Sequence, residues 1–262
     1  MPRFSRALMA ASGLALVLSA AAAPVLAAPA PNFAAYSQDQ LFHEFSGLWE
    51  NMNRISVEKF ETIQQPLRPE YLAKKEAATR NRAEGRQIVT SDAQCIPAGM
   101  PRMMLNSSFE ILVRPKSLGI VTAGGGIQVR NIWTDGRKHT PVDDLFESFS
   151  GESVGHWEGD TLVVDTIGLR PTNEFLYGVQ GHAMTVVERF RKTGPDVLEV
   201  VTTVNDPVVF TTPWVYTTNY RRNPAGVVNE ANYCVAAMDR EVNKDGIEGF
   251  DLTPPPDPRK PR

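Results

Sequence analysis

Apolar and polar residues alternate along most of this chain. Phe109, Ile111 and Val113 alternate with Glu110, Leu112 and Arg114, a period of two that predicts a half-buried strand. Gly119 to Thr122 continues after a Pro-Lys-Ser turn, and Ile127, Val129 and Trp133 form another run closed by Asp135-Gly136, a hairpin signal. Two further runs, 152–157 and 161–167, flank a turn centred on Glu158-Gly159. Met184 to Arg191 and Val197 to Val204 flank Thr193-Gly-Pro-Asp196, which reads as a tight turn. Val208 to Tyr220 is β-rich, with Pro213 marking an edge or bulge. Trp49 to Val57 predicts a first strand, and Val227 to Ala237 a last one around Cys234.

One segment breaks the pattern. Pro69 to Glu84 has proline at its start and strong helix formers throughout, which predicts a largely exposed helix ending near Gly85. Short strands with turns at regular spacing favour a barrel or a sandwich. A barrel also removes exposed sheet edges. The expected fold is therefore all-β: an antiparallel up-and-down β-barrel with one helical insertion after the first strand.

The ends add a location. Arg3 and Arg6 precede the apolar run Ala7 to Ala23, and Val25-Leu26-Ala27 fits a small-x-small cleavage rule. Residues 1–27 read as a signal peptide cut near Ala27, with the mature chain periplasmic or secreted. No later run reaches the length of a membrane span, so no transmembrane anchor is expected. Residues 28–252 form one barrel domain, and the Pro-rich tail 253–262 is expected to be disordered. Removing Arg3 and Arg6 from 27 basic residues leaves 25 against 30 acidic, a net charge of −5. That balance argues against nucleic acid as a partner. Cys95 and Cys234, 139 residues apart, suit a disulfide in an exported protein; two separate buried thiols are the alternative. The chain-entropy treatment assigns such a bridge about 5 kcal/mol at most.

Several blocks carry a resemblance. Pro101-Arg-Met-Met104, Phe109-Glu-Ile-Leu112, Asp135-Gly-Arg137 with His139, Ser153-Val-Gly155, Trp157 to Thr166, Glu188-Arg189-Phe190 and Cys234 together resemble a large family of exported, mostly uncharacterised bacterial proteins with a lipocalin-like look. The resemblance covers roughly residues 45–238. It implies export and a lipocalin-like barrel and lends no reaction. This chain departs from the family pattern at Glu152, where histidine is usual, and at His156, where arginine is usual.

The hairpin also carries the candidate chemistry. With Glu158-Gly159 at its centre, His156 faces Thr161 and Glu152 faces Asp165, all on one face. Ser153, Trp157, Leu162 and Val164 share the other. The polar face reads either as solvent-exposed surface or as a cavity lining. In a cavity, two close carboxylates would raise one pKa and His156 could share the proton. His139, just after the Asp135-Gly136 turn, is a fourth candidate acid or base. Arg130 and Trp133 on one strand are candidate ligand contacts, as is Glu188, whose face the turn leaves open. Trp214, Tyr216, Thr218 and Tyr220 alternate onto one face, either as barrel wall or as a ligand cage. No histidine pair has metal-ligand spacing, and no cofactor motif is present.

Three functions remain in play. The leading one is binding of a small apolar or aromatic molecule in the barrel cavity. The rival is a cofactor-free lyase or isomerase using general acid–base catalysis by His156, Glu152, Asp165 and His139. The third is a structural envelope protein whose barrel is filled by side chains. The chain leaves oligomeric state open.

Overall fold

The computed structural model describes residues 40, 44–53, 62–84, 96–105, 107–122, 127–170, 174–175, 178–179, 181, 183–228, 240–242 and 248–250. The segment expected to be a signal peptide, the two cysteines of the expected Cys95–Cys234 bridge and the tail 253–262 lie outside these residues.

The period-two alternation closes on itself. β1 (Gly47–Asn51), β2 (Phe109–Arg114), β3 (Ser117–Thr122), β4 (Gln128–Trp133), β5 (Glu152–Glu158), β6 (Thr161–Ile167), β9 (Thr185–Gly194), β10 (Val197–Asn205) and β11 (Trp214–Asn223) form a closed nine-stranded barrel. Two small hairpins, β7 (Glu174–Phe175) with β8 (Gly178–Val179) and β12 (Arg240–Val242) with β13 (Glu248–Phe250), stand apart from the ring. Helix α1 (Pro69–Ala83) is the insertion the sequence predicts.

Around the ring each strand sits beside its chain neighbour, and β1 closes onto β11. Every neighbouring pair is antiparallel except β4 with β5, which is parallel. The expected all-antiparallel order fails here for a counting reason. Strand direction cannot alternate around a ring of nine, so one pair must run the same way. A parallel pair needs a long connection from the end of one strand back to the start of the next. Residues 134–151 are that crossover, with one 3-10 turn at Val142–Asp144. Asp135-Gly136 thus opens a crossover and does not close a hairpin. Gly136 does adopt a left-handed φ of 80°.

The interior is packed. Trp49, Phe109, Ile111, Ile120, Phe190, Leu198 and Tyr220 are all buried in one cluster. A short helix, α2 (Arg102–Leu105), follows a cis Met100-Pro101 bond and lies across one end. It buries Met103, Met104 and Leu105, and the Tyr220 hydroxyl donates to the Met104 carbonyl. Asn51 donates to the Leu105 carbonyl at 3.3 Å. At the opposite end Lys192 pairs with Glu44, and the Arg222 guanidinium lies 4.7 Å from the Trp49 ring centre.

Candidate functional site

β4 and β5 pair only at Ile132 with Ser153 and Trp133 with Val154. Before that point the strands part, and the barrel wall splits. The split is a groove of about 520 Å³ between β4 and the end of the crossover. Alternation along β4 turns Gln128, Arg130 and Ile132 inward and Val129, Asn131 and Trp133 outward. The apolar run read from the sequence is therefore the outer face. Ile127 and Val129 are 53% and 52% exposed, and Phe146 across the groove is 78% exposed. Trp133 and Phe149 complete the aromatic walls, while Gln128, Asn131, Glu152 and Ser153 supply polar groups.

A carboxylate pins the crossover beside this groove. Glu152 Oε1 accepts from the Thr140 N–H at 2.8 Å and lies 3.0 Å from His139 Nδ1. Its Oε2 accepts from the Thr140 hydroxyl at 2.7 Å. Partial burial pushes the Glu152 pKa up, but the Thr140 and His139 bonds outweigh it and hold the carboxyl below its usual range. The crossover's first turn is held by Asp135, which accepts from the Arg137 N–H and guanidinium. Arg137 lowers the Asp135 pKa to about 2 and stacks 3.8 Å from the Trp133 ring centre.

Behind the groove, inside the barrel, is a second polar group. Arg130 and Glu188 have fully buried side chains and meet at 2.5 Å through Nη2 and Oε2. Arg130 Nε donates to Ser153 Oγ at 3.0 Å, and Nη2 also donates to Thr166 Oγ1 at 2.9 Å. Ser153 and Thr166 hydroxyls bond each other at 2.9 Å. Burial raises the Tyr216 pKa, and the nearby Glu188 carboxylate raises it further.

The predicted ligand contacts fall into two places, the barrel interior, where Tyr216 lies close to Glu188, and the groove. Arg130 and Glu188 come together as each other's partner. Trp214 and Tyr216 meet at 4.5 Å between ring centres, tilted by 41°, on the inner face of the barrel wall. Trp133 lines the groove.

The catalytic candidates do not assemble. The hairpin loop is Gly159-Asp160, one residue later than expected, with Gly159 at φ 62°. Glu158 stays in the ladder opposite Thr161. Hence His156 faces Val163, Glu152 faces Ile167 and Asp165 faces Val154. A loop displaced by one residue changes partners by two and leaves the faces unchanged. That shared face is the outer one, because its opposite supplies Leu162, Val164 and Thr166 to the core. The His156 side chain is 61% exposed and pairs with Glu158 at 3.3 Å. Asp165 is exposed. Only His139 and Glu152 touch.

No protein-family model matches the chain, and no curated protein matches it. Sequence reasoning missed Val129 as an outer wall residue, Phe146 and Phe149 in the crossover, and Thr140 as the Glu152 anchor. Phe146-Glu-Ser-Phe149 in a polar connection was the available signal for a crossover that covers something.

Proposed function

We propose that the chain is an exported protein that holds a small, largely apolar or aromatic molecule in the groove of its barrel wall. The single observation behind this reading is the groove itself. Its volume falls within the roughly 300–1,000 Å³ of small-molecule sites. Its walls combine the apolar and aromatic side chains of Ile127, Val129, Trp133, Phe146 and Phe149 with a comparable share of polar ones, Ser148 and Ser150 among them. Export rests on the charged, apolar and small-residue order of residues 1–27. Binding in a lipocalin-like manner deep in the lumen is disfavoured, because bulky side chains occupy the described interior.

Isothermal titration with one- and two-ring aromatic compounds tests the proposal. Wild-type protein should bind some of them. Val129→Arg, an outward substitution that fills the groove and leaves the core alone, should weaken binding at least tenfold with little change in Tm. A wild-type protein that binds none, or a Val129→Arg variant that binds as well, would refute the groove as the site.

A further inference from the structure

β4 is a sheet edge wherever β5 does not reach it. β3 pairs with β4 along its whole length, from Gln128 to Trp133, while β5 meets it only at Ile132 and Trp133. Among the described residues, this two-pair seam leaves Gln128 to Asn131 with no strand on the groove side. Main-chain groups of an antiparallel strand point to its two sides in alternation. The Thr134 N–H donates to the Lys116 carbonyl, so Ile132, Arg130 and Gln128 likewise spend their N–H and C=O groups on β3. Val129 and Asn131 turn theirs to the groove side. With the Ile132 groups spent, its pairing with Ser153 takes the Asn131 carbonyl as acceptor. The Asn131 N–H and both main-chain groups of Val129 are left facing the groove. The Ser150 hydroxyl reaches the Val129 carbonyl at 3.5 Å, longer than an ordinary hydrogen bond.

A strand edge beside a groove is a template for one more strand. Resting on the groove reading above, we infer that the groove takes a short peptide segment, extended along β4 and antiparallel to it, with an aromatic or bulky apolar residue opposite Val129. That residue exchanges both hydrogen bonds with Val129, and the carbonyl two residues before it accepts from the Asn131 N–H. Its side chain falls on the same face as that of Val129. This is the outer face, where Ile127 and Val129 are half exposed and Phe146 stands across the groove.

The groove's own chemistry favours a peptide over a plain aromatic. Its free groups are amide donors and acceptors at strand spacing, and an amide backbone meets them in register. A hydrocarbon lying on them would take them from water without replacing the bonds. Ser148 and Ser150 on the facing wall suit the second edge of a peptide backbone. Glu152 is the one charged side chain in the wall, and its oxygens already accept from Thr140. A free carboxylate terminus would be repelled there, so an uncharged internal stretch of chain fits best.

Three probes of wild-type protein test this by isothermal titration: acetyl-Ala-Phe-Ala-amide, the same peptide methylated on the Phe nitrogen, and propylbenzene. The unmethylated peptide should bind at least tenfold more tightly than the other two. At saturation it should slow hydrogen exchange of the Val129 and Asn131 amides at least tenfold and leave that of Phe190 unchanged. Binding of all three within twofold of one another would overturn the peptide edge while leaving the groove intact. One- and two-ring compounds that bind where the peptide does not would do the same. A Val129 amide already slow in peptide-free protein would mean that the edge is covered, by a second copy for example, and would also overturn it. If neither the peptides nor any aromatic compound binds, the groove reading falls as well.

Discussion

A guanidinium and a carboxylate shut away from water are tolerable only together. Removing one partner of a buried pair typically costs about 3–5 kcal/mol, because the other charge is left uncompensated, whereas an apolar replacement of both can be nearly neutral. Arg130→Met or Glu188→Leu alone should therefore lower unfolding free energy by about that amount. The double variant should recover most of the loss. Urea denaturation of the four proteins checks this, and simple additivity would mean the pair is not coupled. Both residues were legible in the sequence as candidate ligand contacts, Arg130 mid-strand beside Trp133 and Glu188 on a face the turn left open. Their partnership was not, since 58 positions separate them and the faces depend on strand register. His156 shows the converse: its face was legible from the hairpin, but whether that face turned inward depended on the rest of the ring.

The crossover is held to β5 by one carboxylate, and that hold depends on pH. The bonds from Thr140 and His139 keep the Glu152 pKa below the ordinary 4.5. A lowered pKa in the folded state contributes stability that is present above the unfolded value and is lost as pH falls through the folded one. The pin should therefore hold at neutral pH and release progressively below about pH 4.5. Protection of the Thr140 amide, taken relative to the intrinsic exchange rate at each pH, should fall over that window, and Glu152→Gln should flatten the response. An unchanged profile in the variant would assign the acid sensitivity elsewhere. At this scale the strands β2, β9 and β10 and the helix α1 were legible, because alternation and helix-former content are local signals. The crossover was not. Asp135-Gly136 carries the local chemistry of a hairpin, and Arg137 captures the Asp135 carboxylate in a way no dipeptide rule anticipates.

The ring as a whole is stitched unevenly. β9 and β10 pair along nearly their full lengths, while β4 and β5 share two residue pairs. Protection from hydrogen exchange should follow this order, with Val200 and Phe190 amides among the slowest and Val129 and Asn131 among the fastest. Equal protection across the seam would mean that the groove is not an opening in the wall. A barrel was legible from the many short strands, but their number was not. Whether the count is odd or even decides whether a parallel seam must exist, and the alternation of residues is silent on that point.

The closing pair of the ring is β1 with β11, Leu48 beside Asn223. These partners are 175 residues apart. A ribosome adding about 5–20 residues per second delivers that stretch in roughly 10–35 s. For that whole interval β1 has one edge without its partner, and no finished cylinder exists. Until β11 is made the ring cannot close, and the proposed export would favour a chain not yet closed over a completed barrel.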